Sequence, residues 1–487
     1  MILPPRPDPD KAIAIAIDLF ARLPLAEAFY SLWHHLADPT ALQALFQRHR
    51  GPAYEQQLTF PELVHVVADA LTRFHGKGRP AIRAAIDHQR LSTQQRAVYG
   101  KLSRVPLSLS EAFLSELTGR LRPLFPPGRR RTQLPASLAT LAVVVVDGKK
   151  IKRVAKRLLE VRGRPGKVFG GKLLAAYLPA EGLVVALAAD PDGEANDIRL
   201  VPRLLPQVRA AVGGPRLWVA DRQFCDLDQP GRFGEDNDHY LIRFSLKTGF
   251  HAEPQRPSRS GVDATGRAFR EEWGWMGAES QGARRRYVRR ITLDRPGEES
   301  IILVTDLLDA DQYPAVDLLL VYLARWQIET VFQKITEVFA LRHLIGCTPQ
   351  ATVFQASLCM VIYNVLEAFR SYIAASRPEP LAPEQLSLAK IFKDVHEELV
   401  ALHRVLTAEE ITGCFVESFT AEALMERLRA LLTHAWSADW LKAVPKKPRV
   451  YKPRTAAKKS GAHTSVHKIL EEARQRKQAT KSSHGSQ

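Results

Sequence analysis

Residues 141–148 read LAVVVVDG, and residues 172–190 read KLLAAYLPAEGLVVALAAD. The first stretch is a β-branched run that ends in Asp-Gly, which is typical of a strand running into a turn. The second stretch contains two strand-like runs joined by a short turn from Pro179 to Gly182. Together they predict three successive strands, which we expect to pair antiparallel.

The sequence after these strands alternates between helical and strand patterns. Residues 194–213 (EANDIRLVPRLLPQVRAAVG) predict a helix, with Asn196 and Asp197 as caps at its start. Residues 245–300 are polar and rich in Gly and Arg, which indicates an insertion. Strands followed by a helix and further strands indicate an α/β fold. The further strands are predicted at 216–221 (RLWVAD), 239–244 (HYLIRF) and 301–307 (IILVTDL).

The N-terminal region, residues 1–122, has helical patterns and is predicted to be a helical DNA-binding domain. Thr59, Pro61 and Glu62 mark the start of one of its helices. Residues 79–89 and 92–104 predict two helices around a short turn. The second would begin at Ser92 and display three basic side chains, Arg96, Lys101 and Arg104. This pair is consistent both with a DNA-reading helix and with an ordinary small helical bundle.

Composition sets the remaining boundaries. Pro, Gly and basic residues make 123–135 a linker. Residues 313–344 follow a long amphipathic helical pattern, and helices are predicted to continue through 346–440. From Leu441 onward, 13 Lys or Arg residues stand against two acids, so residues 441–487 carry a net charge of +11. We expect this tail to be disordered when free, either as a DNA-contacting arm or as a solubilising segment.

The whole chain of 487 residues has a net charge of +17, which favours a polyanionic partner and nucleic acid ahead of a membrane surface. Its four cysteines form no C-x-x-C pair, which argues against a zinc site and a disulfide framework. The longest apolar runs, such as the one before Asp147, are too short to span a bilayer, and no signal segment opens the chain. We therefore expect an intracellular protein with no membrane partner.

Three acidic residues are the candidates for chemistry. Asp147 and Asp221 each follow an apolar strand, although an Asp-Gly turn and a helix cap are the alternative roles. Tyr322, Arg325 and Glu329 are spaced i, i+3 and i+7, which places them within about 60° of one helix face. An Arg–Glu pair on a solvated face is the alternative there. Three carboxylates at such positions suit a hard divalent cation such as Mg²⁺.

The three acidic segments resemble those of DDE transposases of the insertion-sequence-four family. That family carries the signature Y, two residues, R, three residues, E, six residues, K. Tyr322, Arg325 and Glu329 match its first three members within the sequence YLARWQIE. The resemblance covers residues 140–345 and rests mainly on three blocks, VVVVDGK, LWVADRQF and LVTDLLDADQYPAVDLLLVYLARWQIETVF.

This resemblance implies an RNase H-like catalytic core formed by residues 136–244 and 301–345, with a mostly β insertion at 245–300. Asp147, Asp221 and Glu329 would bind two Mg²⁺ ions, which Mn²⁺ can replace. Tyr322 and Arg325 would hold the DNA phosphate backbone near the cleavage point.

The implied activity is cut-and-paste transposition by a prokaryotic, cytoplasmic protein that acts on DNA as a homodimer. Such an enzyme binds the terminal inverted repeats, hydrolyses one strand and attacks with the freed 3′-hydroxyl. The resemblance implies a hairpin intermediate on the transposon end, which a second hydrolysis resolves before strand transfer to target DNA. A stand-alone nuclease of the same fold and a non-catalytic DNA-binding relic are the rival hypotheses.

The match departs at its last position, where Thr336 stands in place of the expected Lys. Lys334 is near in sequence, but about 120° of helix rotation turns it away from Tyr322, whereas Gln333 and Thr336 face the site. Trp326 is expected in the core, and Trp273 or Trp275 is a candidate for holding a flipped base. Further DNA contacts are expected from Arg222 and from a basic cluster, for which a solvated face is the alternative: Lys149, Lys150, Lys152, Arg153, Lys156 and Arg157.

Overall fold

The computed structural model describes Ala16 and residues 18–53, 55–127, 134–152, 154–339, 341, 343–379, 381–415, 419–443 and 463–484. Helices fill the region before the sheet. The predicted start at Thr59 is confirmed, because Thr59 and Glu62 cap each other's backbone N–H groups. The helices are α1 (Pro24–Leu36), α2 (Pro39–His49), α3 (Phe60–Thr72), α4 (Gly78–Asp87), α5 (Gln95–Leu102) and α6 (Leu107–Leu121).

The predicted helix pair corresponds to α4 and α5, with two differences. Helix α5 begins at Gln95 and not at Ser92. Lys101 is not displayed but buried, with its ammonium 2.9 Å from the Glu55 carboxylate. Arg96 remains exposed. The pair therefore presents a smaller basic surface than its sequence suggests.

A ten-stranded sheet forms the centre of the described structure. Its order is β4-β3-β1-β5-β6-β11-β10-β9-β7, with β8 paired to β9. A separate two-stranded sheet pairs β2 with β12. The strands before the predicted insertion are β1 (Ala142–Lys150), β2 (Lys167–Phe169), β3 (Lys172–Leu178), β4 (Leu183–Asp190), β5 (Arg216–Ala220) and β6 (His239–Arg243).

Strands β1, β3 and β4 pair antiparallel, as predicted. Strand β3 is antiparallel to both β1 and β4, with the turn between β3 and β4 spanning residues 179–182. Strand β5 is then parallel to β1, and β6 is parallel to β5. The crossover from β4 to β5 contains the predicted helix, α7 (Val201–Ala211), and a short helix α8 (Gln229–Phe233) precedes β6.

The predicted insertion is rich in strands, and these strands continue the central sheet. Strand β11 lies between β6 and β10 and is antiparallel to both, so it joins the insertion to the α/β layer. The expected insertion thus widens the same sheet. Its strands are β7 (Phe250–Ala252), β8 (Arg259–Val262), β9 (Ala268–Met276), β10 (Arg286–Leu293) and the returning β11 (Ile301–Thr305).

The predicted long helix at 313–344 is two helices, α9 (Ala315–Ala324) and α10 (Trp326–Glu337). At the break, the Arg325 N–H bonds Tyr322 O and the Ile328 N–H bonds Arg325 O, which are contacts of 3₁₀ type. Helix α11 (Pro349–Ala375) follows, and then α12 (Leu388–Val405), α13 (Ala408–Gly413) and α14 (Ala421–His434).

Helix α11 corrects the expectation that no apolar segment could span a bilayer. By length and composition this helix could cross a membrane, yet its apolar window is entirely buried inside the protein. Asn364 on α11 bonds both the N–H and the carbonyl of Val184, a residue of the edge strand β4. Helix α11 is therefore a core helix that also covers one edge of the sheet.

The prediction of a disordered tail is wrong for residues 463–484. Strand β12 (His463–Ser465) pairs parallel with β2, and helix α15 (Val466–His484) follows it. Val466 and Ile469 are buried, and the Lys468 ammonium lies 2.6 Å from Glu194. The rest of the predicted tail beyond Ala443 lies outside the described residues. Part of the basic C-terminus is therefore attached to the protein body by strand pairing, apolar contacts and an ion pair.

Candidate active site

Neighbouring parallel strands bring Asp147 and Asp221 together. Val146 of β1 pairs with Ala220 of β5, and the two acids are the next residues on each strand. Adjacent strands are about 4.8 Å apart, so the two acids are lateral neighbours. Asp147 was expected at the end of its strand, but β1 runs on to Lys150, so Asp147 lies within the strand. It lies where pairing to β5 stops and pairing to β3 continues.

The alternation of side chains decides which face these acids occupy. Val145 and Val219 belong to the core under helices α9 to α11, whereas Val146 and Ala220 belong to the core under α7. Because side chains alternate along a strand, Asp147 and Asp221 share the face covered by α10 and α11. Glu329 lies on α10, which packs against β1. The fold thus brings the three predicted acids to one region.

The Arg325 guanidinium lies between two of these carboxylates. Its Nη1 is 3.7 Å from Asp147 Oδ2, and its Nη2 is 3.3 Å from Glu329 Oε1. Tyr322 is buried, with its ring centre 5.8 Å from the guanidinium. The break between α9 and α10 leaves Arg325 and Glu329 on the same side, so the predicted Tyr, Arg and Glu grouping survives it.

Two carboxylates of the cluster, Asp147 and Glu329, have raised pKa values. Burial raises the pKa of Asp147 to about 6, Arg325 opposes the shift, and the charges of Glu329 and Asp221 add to it. Burial likewise raises the pKa of Glu329, again opposed by Arg325. Like charges in a partly buried site repel, so the cluster favours a nearby cation. In this structure, that cation is the Arg325 guanidinium.

The donor set fits a divalent metal by its chemistry, because three carboxylates supply the hard oxygen ligands that Mg²⁺ prefers. Within the described part of the chain, however, no three acidic, histidine or cysteine side chains lie close enough to form a ready-made metal site. The position of Arg325 gives a physical reason, because its guanidinium separates Asp147 from Glu329. Metal binding would require this guanidinium to move aside.

A groove of about 560 Å³ opens beside Asp147 and Glu329. Thr336 and Gln333 line it, in agreement with their predicted direction. Lys334 faces the other way, with its ammonium 3.9 Å from the Glu367 carboxylate on α11. Gln333 and Thr336 therefore face the groove without charge, whereas Tyr322 and Arg325, the other predicted phosphate contacts, do not line it.

Lysines of the basic cluster form the opposite wall of this groove. Lys150 and Lys152 are exposed there. Lys149 also lines the groove, but its ammonium donates to the Phe332 carbonyl at 3.1 Å. Burial and the charge of Lys152 lower the pKa of Lys149 to about 8. Lys156 and Arg157 are exposed further along the chain, and Arg153 lies outside the described residues.

Other predicted contacts differ from expectation. Arg222 is paired with Glu299 at 2.5 Å and does not line the groove. Trp273 is only 2% exposed and bonds the Leu308 carbonyl, so it is a core residue, whereas Trp275 is 42% exposed. Trp326 was expected in the core, yet it is 63% exposed.

Asp197 was predicted only as a helix cap, and its contacts near the candidate site were not predicted. Asn196 caps its helix as predicted, but Asp197 lies buried against Lys172, with 2.5 Å between ammonium and carboxylate. Asp197 also accepts a 2.6 Å hydrogen bond from Gln223, two residues after Asp221. A Cβ added at Gly148 would lie 2.3 Å from the Asp197 carboxylate, so a larger residue beside Asp147 would displace that side chain. Asp197 thus ties together the segments that carry both aspartates.

Residues 139–365 match the family model of the transposase DDE domain. The matched segment contains Asp147, Asp221 and Glu329, together with the groove that Asp147 and Glu329 line. No curated protein shows significant similarity to the chain. The match supports a DDE transposase, an enzyme whose substrate is DNA.

Proposed function

We propose that this protein is a DNA transposase of the insertion-sequence-four type that moves its element by a metal-dependent cut-and-paste reaction. The observation that carries the proposal is that Asp147 and Glu329 contact one cation, Arg325, and line one groove, while Asp221 follows the strand beside that of Asp147, all within the matched domain. The antiparallel β4-β3-β1 unit followed by parallel β5 and β6 supports an RNase H-like core.

The three carboxylates are the proposed ligands of two Mg²⁺ ions. Bound there, the ions would activate the attacking water or 3′-hydroxyl and stabilise the leaving oxygen of the phosphodiester. Arg325 would change partner when this site holds metal, because its guanidinium lies against two of the three proposed ligands. The freed guanidinium can bind a phosphate oxygen beside the cleavage point, which is a strong charge-assisted contact.

The groove residues have binding and orienting roles in this proposal. Lys150 and Lys152 contact phosphates of the strand that enters the groove, while Thr336 offers a neutral hydroxyl on the opposite wall. Tyr322 is buried and supports the position of Arg325. Arg222 would contact DNA only after leaving Glu299.

The partners are the terminal inverted repeats of the element and the target DNA, held by a homodimer in the cytoplasm. The reaction proceeds by hydrolysis of one strand at each end, and the freed 3′-hydroxyl attacks the opposite strand to form a hairpin on the transposon end. A second hydrolysis opens the hairpin and frees the 3′-hydroxyl again, and this hydroxyl then attacks target DNA. Thr336 is the observation that keeps the non-catalytic relic as a second candidate, since the expected lysine is missing there.

An assay of the gene's flanking DNA separates these functions. A plasmid that carries both flanks, with a second plasmid as target, is incubated with the full chain in Mg²⁺. Joined products that contain target sequence support the transposase. Cleaved ends without joining indicate a stand-alone nuclease. Binding to the flanks without either product indicates a relic.

A further inference from the structure

A second and larger groove lies beside the first. Its volume is about 1010 Å³, and it lies between the helix pair α4–α5, the chain that follows β1, and the segment that joins α10 to α11. Exposed basic side chains stand on each of these three walls. They are Lys77, Arg79, Arg96, Arg157 and His343.

The charge of this groove is unbalanced. Among the described residues that line it there is no Asp or Glu. Arg83, on the same helix as Arg79, lies outside the groove and has a carboxylate 3.6 Å away on Asp87. A concave surface with cations on several walls and no acids raises the local concentration of an anion. The groove is therefore suited to a negatively charged ligand.

Backbone groups reinforce this charge. Helices α4 and α5 both begin at the groove, through Gly78 and Gln95. Neither helix has a side chain that caps its first-turn N–H groups. Uncapped N–H groups at a helix start can bond an anion and add the positive end of the helix dipole. They supplement the side-chain cations, which carry most of the charge.

Close packing fixes the walls relative to one another. A Cβ added at Gly78 of α4 would lie 2.4 Å from the Ile345 side chain. A Cβ added at Gly346 would lie 2.2 Å from Ala351 of α11. The Arg157 guanidinium donates to the Ile345 carbonyl at 3.4 Å. The walls of the groove are consequently held in fixed positions by close packing, and the groove lies between the helical region and the segment after α10.

The same two segments of chain line both grooves. Residues 149–152 line the candidate active-site groove, and residues 155, 157 and 158 line the second groove. Likewise, Leu341 lines the first groove and residues 343–348 line the second. A ligand that runs out of the first groove along these segments would enter the second. The candidate active site and the cationic groove are thus consecutive parts of one path.

We infer that this cationic groove binds the phosphate backbone of the double-stranded DNA that flanks the cleavage point. Cations on separate walls match an extended polyanion better than a single phosphate group, and the shared segments align the groove with the candidate active site. The inference rests on the proposed function because it takes DNA as the substrate. It adds the residues that hold the duplex away from the reacting phosphate.

The test is the salt dependence of binding to a fluorescent duplex of arbitrary sequence and about 30 base pairs, because phosphate contacts do not depend on sequence. Binding is measured for the full chain in EDTA. The variant Arg79→Ala with Arg96→Ala removes two groove cations. Arg83→Ala is the matched control on the same helix, and the double exchange Arg79→Lys with Arg96→Lys keeps the charge.

The double alanine variant should lower the slope of log affinity against log salt by about 2, since each phosphate contact contributes about 0.9. Arg83→Ala and the lysine variant should keep the parent slope. A parent-like slope in the double alanine variant would overturn the inference. Loss of binding only to a single strand of equal length would overturn the assignment to duplex DNA.

These outcomes are distinct from failure of the proposed function. If the parent binds duplex DNA and the double alanine variant has a shallower slope of log affinity against log salt, the groove inference stands whether or not any strand is cleaved. If the parent cleaves and joins its element ends while the double alanine variant keeps the parent slope, the groove inference alone is wrong. A parent that binds no duplex DNA would overturn both.

Discussion

Replacing Asp197 by alanine tests how the two aspartates of the candidate site are held. The Asp197 and Lys172 side chains are 3% and 8% exposed, so the change leaves a buried ammonium without its partner. Breaking such a buried pair costs about 3–5 kcal/mol. For a unit the size of the matched domain, each kcal/mol lowers Tm by about 2–4 °C, so the expected fall is roughly 6–20 °C.

The same change should impair cleavage beyond its effect on stability. Asp197 bonds Gln223 in the turn that follows Asp221, and it packs against Gly148 beside Asp147. A misplacement of about 1 Å at a reacting group can cost about 100-fold in rate. We therefore expect about a 100-fold slower nicking rate at a temperature where the variant remains folded.

Thermal unfolding followed by circular dichroism, alongside nicking of a plasmid that carries the element ends, measures both effects. Glu397→Ala is the matched control, because its pair with Lys393 is exposed at 3.4 Å and contributes at most about 1 kcal/mol. An Asp197→Ala protein that unfolds within about 2 °C of the parent would refute the stability reasoning. Parent-like nicking by a folded Asp197→Ala protein would refute its positioning role.

Thr336→Lys should raise cleaved ends per hour at equal DNA occupancy, because it adds a charged phosphate contact inside the groove; no gain would show that this position does not limit the enzyme. Arg474 and Arg476 are exposed on α15, and replacing both by Ala should make the salt dependence of DNA binding shallower. An unchanged slope would indicate that the tail serves solubility and not DNA binding. Burial lowers the pKa of His403 to about 3, so the neutral ring is favoured in the folded protein. Tm should therefore fall as pH decreases from about 6.5 towards 3, and His403→Gln should weaken that dependence; an equal dependence in the variant would contradict the assignment.

Local patterns predicted the elements whose stability is local. The hairpin of β3 and β4 was predictable because two apolar runs flank a short turn. The grouping of Arg325 with Glu329 was predictable because helix periodicity persists through a short 3₁₀ segment. The exposure of the neighbouring Trp326 was not predictable, since a large apolar side chain on such a helix is usually buried and only tertiary packing leaves it exposed.

Features that depend on contacts distant in sequence were not predictable. The pairing of β12 with β2 joins the C-terminus to a segment near the candidate site, and the composition of the tail gives little sign of it. The sequence predicted Asp197 as a helix cap. Its buried ion pair with Lys172 was not predictable, because it depends on the position of β3, where Lys172 lies. The cationic groove combines residues from three separate regions, so no single stretch of sequence contains it.

The most direct test of the central claim compares Asp147→Ala, Asp221→Ala and Glu329→Ala with the parent on the element ends. Nicking in Mg²⁺ and binding in a gel shift are measured side by side. Each variant should lose nicking while its binding stays close to that of the parent, because carboxylates hold metal and basic surfaces hold DNA. Substantial nicking by any of the three variants would contradict the assignment of that residue to the active site.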